Sequence, residues 1–158
     1  MHDHFVRTAK IVGLGSYLPE RVLTNADLET MVETTDEWIT TRTGIKERHV
    51  VADDEALVDL VDRAGRAALA DAGLEPGEID LMILATATAE QPIPATSAIV
   101  QPRMGLVNAA CFDLSAACSG FTYALNVGRQ FIATGEAATV LVVGAECLTR
   151  YVDWTDRG

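Results

Sequence analysis

Basic residues are scarce in this chain. Its 12 Lys and Arg stand against 23 Asp and Glu, a net charge of −11 over 158 residues. A nucleic-acid binder needs a basic face to neutralise phosphates, so that class is excluded, and anionic membrane surfaces are disfavoured. No apolar run reaches the roughly eighteen residues of a membrane span, and no charged-then-apolar leader marks a signal peptide. Cysteine is limited to Cys111, Cys118 and Cys147, an odd number without metal-like spacing. Free thiols in a reducing cytosol are the simplest account, and a cytoplasmic protein is the expectation. Histidine is limited to His2, His4 and His49, a set unsuited to zinc. Half of the composition, 49%, is hydrophobic, enough for one compact domain with a real core.

What is present is an alternation of strand and helix. Residues 10–19 (KIVGLGSYLP) read as a first strand running into a turn. Gly13 and Gly15 invite comparison with a dinucleotide fingerprint, but position 18 is leucine and no helix opens there, so a Rossmann site is rejected. Thr24 and Asp27 form a capping-box pattern that predicts a short helix through about Val32. Thr34 or Thr35 caps a second helix carrying Trp38 and Arg42. Leu57, Leu60, Val61, Ala64, Ala68 and Leu69 share one face of a helix over 56–72, ended by Gly73. A buried strand at 81–85, a rigid loop at 91–94, a helix at 95–104 and a strand around 107–114 follow. A helix beginning at Cys118 and an apolar strand at 139–143 complete the pattern. Unalternating Val, Ile and Leu strands with short links predict a largely parallel sheet covered on both faces. No repeat, low-complexity segment or linker divides the chain, so one domain over 1–158 is expected.

Cys118 stands among small residues, with Ala116, Ala117, Ser119 and Gly120 around it. A thiol in the first turn of a helix faces backbone N–H groups and the positive end of the helix dipole, a setting suited to a nucleophile. The competing reading is a buried cysteine at a tight strand-to-helix junction. Trp38 with Arg42 one turn later offers a stacking plane and a phosphate donor, and against it stands a tryptophan that merely packs its own helix. The helix over 121–133 is apolar round most of its circumference, its polar residues being Thr122, Asn126, Arg129 and Gln130. Such a helix is buried nearly all round. One sheet covers one side, and something else must cover the other.

Taken in order, the segments IVGLGSYLP (11–19), TNADL (24–28), DEWITTRTGI (36–45), Arg48-His49, AACSGFTYAL (116–125), VVGAE (142–146) and Asp156-Arg157-Gly158 resemble β-ketoacyl-[acyl-carrier-protein] synthase III. The resemblance runs from about Ala9 to the last residue. It implies an α/β, thiolase-like fold, of which this chain is the N-terminal half: a mostly parallel sheet covered by helices, with a central buried helix starting at the active-site cysteine. It implies an acyltransferase that condenses an acyl-CoA primer with malonyl-[acyl carrier protein] through an acyl-cysteine, with coenzyme A as part of a substrate and no cofactor held permanently.

Carried over by position, the resemblance makes Cys118 the acylated nucleophile, its N–H one arm of an oxyanion hole. Trp38 and Arg157 would sandwich the CoA adenine, and Thr34 and Arg42 would make further nucleotide contacts. Ile93 would reach across a homodimer into the partner's acyl pocket, and Leu148 would wall a pocket. The histidine and asparagine that drive decarboxylation would lie in a C-terminal half beyond Gly158, and His49 is a surface or structural residue. The chain is then expected to be a fragment, a proteolysed product or one member of a split enzyme. Two other readings stay open: a thiolase-fold starter synthase of a secondary-metabolite pathway, and a non-catalytic half that scaffolds a partner chain.

Overall fold

The computed structural model describes residues 7–156. In chain order the elements are β1 (Arg21–Thr24), α1 (Asn25–Glu29), α2 (Asp36–Thr43), β2 (Glu47–Val50), α3 (Leu57–Ala72), β3 (Leu81–Ala85), α4 (Thr96–Met104), β4 (Ala110–Leu114), α5 (Gly120–Thr134) and β5 (Val140–Gly144). Single 3-10 turns lie at Pro76–Glu78, Ala117–Ser119 and Leu148–Arg150. These gather into two compact units, a division that no linker in the sequence marks. The larger takes the chain up to Tyr17 together with Leu57–Glu146, and the smaller takes Leu18–Ala56 with Cys147 onward.

The larger unit is built on a parallel sheet in the order β4-β3-β5. Leu81 sits opposite Ala110 on one side and Val140 on the other. Every residue of the central strand β3 is buried, which is why its sequence shows no polar alternation. Leu81, Ile83 and Ala85 face α5 and pack with Ala124, Phe112, Val127 and Phe131. On the opposite face, α3 packs on α4 and β5, and α4 packs on β3 and β4. Fully buried Leu57, Val61, Val100 and Met104 come from those two helices. A Cβ on Gly65 would stand 2.6 Å from the Met104 Cε, so that glycine lets α3 and α4 close on each other. The parallel α/β architecture is as expected.

Two local expectations change. Residues 10–19 join no ladder among the described residues. They lie on α3 instead: a Cβ on Gly15 would fall 2.2 Å from the Ala68 nitrogen, and Leu14 N–H donates to Asp71 Oδ2 at 2.9 Å. Gly13 and Gly15 therefore serve a close approach of backbone to helix, with Ile11, Val12 and Leu14 left exposed. The first helix also stops at Glu29, earlier than about Val32, because the Thr30 N–H turns back to Asp27 and Leu28 carbonyls.

The smaller unit holds the antiparallel pair β1–β2 with α1 and α2. Its capping box is present as expected: the Asp27 N–H donates to Thr24 Oγ1, and the Thr24 N–H donates to Asp27 Oδ2. Polar contacts organise this unit. Asn25 is buried, and its Nδ2 donates to Asp36 Oδ1 at 2.7 Å and to the Ile45 carbonyl at 2.9 Å. Arg48 donates to the Asn25 Oδ1.

Candidate functional site

Cys118 lies in the 3-10 turn Ala117–Ser119 that joins the end of β4 to the start of α5. The helix proper begins at Gly120, with Ser119 as its N-cap, so the thiol stands just ahead of the first turn rather than within it. The backbone makes this turn tightly. Thr86 N–H donates to the Leu114 carbonyl at 3.1 Å, which fastens the end of β4, and Ser119 N–H donates to the Ala116 carbonyl at 3.1 Å. A Cβ on Gly120 would stand 3.2 Å from the Ala85 Cβ, so α5 starts directly on β3. Small residues here let helix and sheet meet closely while the turn remains open.

Of the three thiols, Cys118 is exposed, Cys111 partly buried and Cys147 buried. Cys118 is therefore not buried at the strand-to-helix junction among the described residues. The exposed Ala117 and Ser119 beside it add little bulk. Ile93, in the loop before α4 of the same unit, is 85% exposed.

α5 buries Gly120, Ala124 and Gly128, a stripe of small residues one turn apart. A Cβ on Gly128 would meet the Val140 Cγ1 at 3.1 Å, and a Cβ on Gly144 would meet the Phe121 ring. Flanking that stripe, Phe121, Tyr123 and Leu125 remain partly exposed, Phe121 even though its ring touches Gly144. The sheet thus covers one side of α5, and among the described residues the other stays uncovered, as its all-round apolar sequence implied.

The smaller unit carries the other predicted residues. Thr35, not Thr34, caps α2, accepting from the Trp38 N–H at 3.1 Å. Thr34 is half-buried. Trp38 is 38% exposed, and the Arg42 guanidinium lies over its ring, 4.5 Å from the centroid. An exposed cation–π pair of this kind contributes about 0.5–1 kcal/mol. The indole therefore has one face occupied by Arg42. Leu148, in the turn Leu148–Arg150, is exposed. Arg157 lies outside the described residues. A hollow in this unit, lined by Arg21, Asp53, Arg150 and Trp154, includes none of the predicted contacts.

Asp36, at the first position of α2, has its carboxyl held below the usual carboxylate range by the hydrogen bond from Asn25, with Thr40 and Lys46 adding to the effect against the cost of desolvation. Asp27 is lowered by the Thr24 hydroxyl and then by the Thr24 N–H. His49 is engaged with the Pro19 carbonyl at 2.6 Å, a structural role. No group of three His, Cys, Asp or Glu among the described residues is placed to hold a metal ion.

Residues 112–158 match the family model for 3-oxoacyl-[acyl-carrier-protein (ACP)] synthase III, a stretch that begins in β4 and includes Cys118. A β-ketoacyl-[acyl-carrier-protein] synthase III of Rhodospirillum centenum is 56% identical over 147 residues, 93% of this chain and 46% of that protein. The crystal structure of 3-oxoacyl-[acyl-carrier-protein] synthase III from Aquifex aeolicus superposes with a TM-score of 0.90 at 52% identity, covering 94% of this chain and 48% of the other. Over nearly all of its length the chain is similar to β-ketoacyl-[acyl-carrier-protein] synthase III proteins. It spans about half the length of the curated relatives it matches. The priming β-ketosynthase of the R1128 polyketide pathway shares the synthase III fold with this chain, at a TM-score of 0.94 and 38% identity over 99% of this chain and 47% of that one.

Sequence reasoning missed the residues that hold the synthase III elements in place. Asn25 is buried and bonds Asp36 and the Ile45 carbonyl, which the capping pattern of Thr24 and Asp27 does not mark. Asp113 accepts from the Thr96 and Ser97 N–H groups at 2.7 and 2.9 Å, anchoring the start of α4 to β4. Glu146 accepts from Ala87 N–H at 2.8 Å and from Thr88 Oγ1 at 2.6 Å, fastening the turn after β3. Nothing in the sequence pattern marks either carboxylate, because each partner is distant along the chain.

Proposed function

We propose that this chain is the nucleophile-bearing half of an acyltransferase that starts fatty-acid synthesis. The observation that carries the reading is the exposure of Cys118 in a turn of small residues, while the other two cysteines are covered to different degrees. In the first step the Cys118 Sγ attacks the thioester carbonyl of acyl-CoA. The carbon–sulfur bond to CoA breaks, and CoA leaves as a thiol with the proton that Cys118 gave up. In the second step malonyl-[acyl carrier protein] loses CO₂, and its α-carbon forms a bond to the acyl carbon as Cys118 is released. N–H groups around the turn are suited to the developing oxyanion, with that of Cys118 as one donor.

The same reading gives Trp38 and Arg42 to the adenine nucleotide of CoA, with Thr34 and Arg157 as further contacts. The indole is the stacking surface, and Arg42 both steadies it and offers a cation to phosphate. Ile93 and Leu148 are assigned to the acyl pocket, Ile93 from the second copy of a homodimer, and the exposure of both supports that use. The groups that drive decarboxylation are assigned to the part of the relatives that this chain does not span. A cytoplasmic location accords with the absence, among the described residues, of any helix long and apolar enough to cross a membrane.

A second reading has a specific observation behind it, since a polyketide priming synthase shares this fold closely. Identity favours the fatty-acid role, at 52–56% for four synthase III relatives and 38% for the priming enzyme. The test is release of CO₂ from malonyl-[acyl carrier protein] with acyl-CoA, run on this chain alone and with a complementary C-terminal half in trans. Product is expected only from the pair, and Cys118→Ala should abolish it together with the acyl mass on the Cys118 peptide. Ketoacyl product from residues 1–158 alone would overturn the division of roles.

A further inference from the structure

Ala117, the residue before Cys118, has φ of 46°, the only positive φ at a non-glycine position among the described residues. The other left-handed residues are Gly44, Gly73, Gly105 and Gly135, and each stands just after the end of a helix. At such positions glycine is the ordinary choice, because a Cβ crowds the neighbouring carbonyl. Ala117 differs on both counts. It carries a Cβ, and it stands where a helix is about to begin.

Strain of this kind persists only where the surroundings over-determine it. Here they do so from both sides. The end of β4 is fixed by the Thr86-to-Leu114 hydrogen bond, and the start of α5 is fixed by Gly120 against Ala85 and by Phe121 seated on Gly144. Between these anchors the chain must reverse within Ser115, Ala116 and Ala117. Ala116 is at φ −147° and ψ 30°, and the left-handed turn at Ala117 completes the reversal and brings Cys118 out to solvent.

We propose that Ala117 is a positioning residue for the Cys118 nucleophile, acting through a left-handed backbone that a β-branched side chain does not tolerate. The proposal rests on the nucleophile reading of Cys118. A right-handed φ at this position would rotate the next peptide plane and re-aim both the Cys118 side chain and its N–H. A β-branched residue is disfavoured in the left-handed region, whereas glycine occupies it freely. Alanine keeps the turn narrower in its choices than glycine would, at the cost of strain.

The test compares Ala117→Val and Ala117→Gly with the parent chain. The readout is the alkylation rate of each cysteine by iodoacetamide, resolved by peptide mapping over a neutral-to-alkaline pH series. Melting temperature and circular dichroism are followed beside it. Ala117→Val should slow Cys118 by about tenfold or more and change its pH profile, leaving the Cys111 rate unmoved, because a branched side chain drives position 117 out of the left-handed region. Ala117→Gly should keep the Cys118 rate within about threefold and raise the melting temperature by releasing strain. A folded Ala117→Val chain with the parent rate and profile would overturn the proposal. If that variant does not fold, Ala117→Gly decides, since a melting temperature below the parent's would overturn the strain argument. Parent Cys118 labelled no faster than Cys111 and Cys147 would instead remove the nucleophile reading itself, and the positioning role with it.

Discussion

The Cys118 turn and the Trp38 helix are held by different forces. Around Cys118 the support is steric: β3 is wholly buried, α5 is seated through Gly120, Ala124 and Gly128, and the turn is set by backbone conformation. Around Trp38 the support is polar. α2 buries only Ile39, and its position depends on Asn25, Asp36, Lys46 and Arg48. Packing density fixes a reacting atom closely and is indifferent to pH. Hydrogen-bonded carboxylates hold a surface helix with little core, but they do so only while ionised. A nucleophile benefits from the first arrangement, whereas a stacking contact for a large soluble ligand tolerates the second.

The largest expected effect breaks the steric region. Ile83→Ala empties the centre of β3, where Ile83 is fully buried against α5, and should destabilise the larger unit by about 2–5 kcal/mol. Denaturant titration measures it, and a loss smaller than that of any surface substitution would show that the sheet–helix core does not carry the Cys118 turn. Trp38→Ala comes next. With the complementary half present, it should weaken acyl-CoA binding by about 1–3 kcal/mol, by analogy with base–aromatic stacking, and should leave Cys118 alkylation unaltered. Unchanged affinity in calorimetry would remove the indole from the nucleotide site.

The smallest effect is on pH. Asp36 and Asp27 have carboxyls lowered in the folded state, so their contribution is complete above the ordinary carboxylate range and is lost as pH falls through their lowered values. Both are well exposed, so the loss is modest. Tryptophan fluorescence should therefore report loosening of the smaller unit at a higher pH than any change in Cys118 alkylation extent, and Asp36→Asn should flatten that response. Simultaneous acid transitions in the two regions would dissolve the distinction between them.

Several features were legible without coordinates because they depend on near neighbours. The capping box of Thr24 and Asp27, the amphipathic α3 and the uninterrupted apolar β3 follow from local spacing, and the structure has them within a few residues. The exposure of Phe121, Tyr123 and Leu125 on α5 was likewise implicit in a helix too apolar for one sheet to cover. Residues 10–19 show the opposite case. Their composition suits a strand, but a strand exists only with a partner for its N–H and C=O groups, and spacing along one segment carries no information about partners.

An acidic α/β protein with parallel strands, and Cys118 in the setting of a nucleophile, can be read from the chain alone. Periodicity, caps and small-residue runs suffice for that, because they are written in adjacent positions. It took the packed molecule to make Cys118 the open thiol of the three, to set Gly13 and Gly15 against α3, and to put the left-handed turn at Ala117. Those outcomes depend on what distant segments leave uncovered or force into place. Burial and backbone strain are properties of the packed whole, and no single segment encodes them.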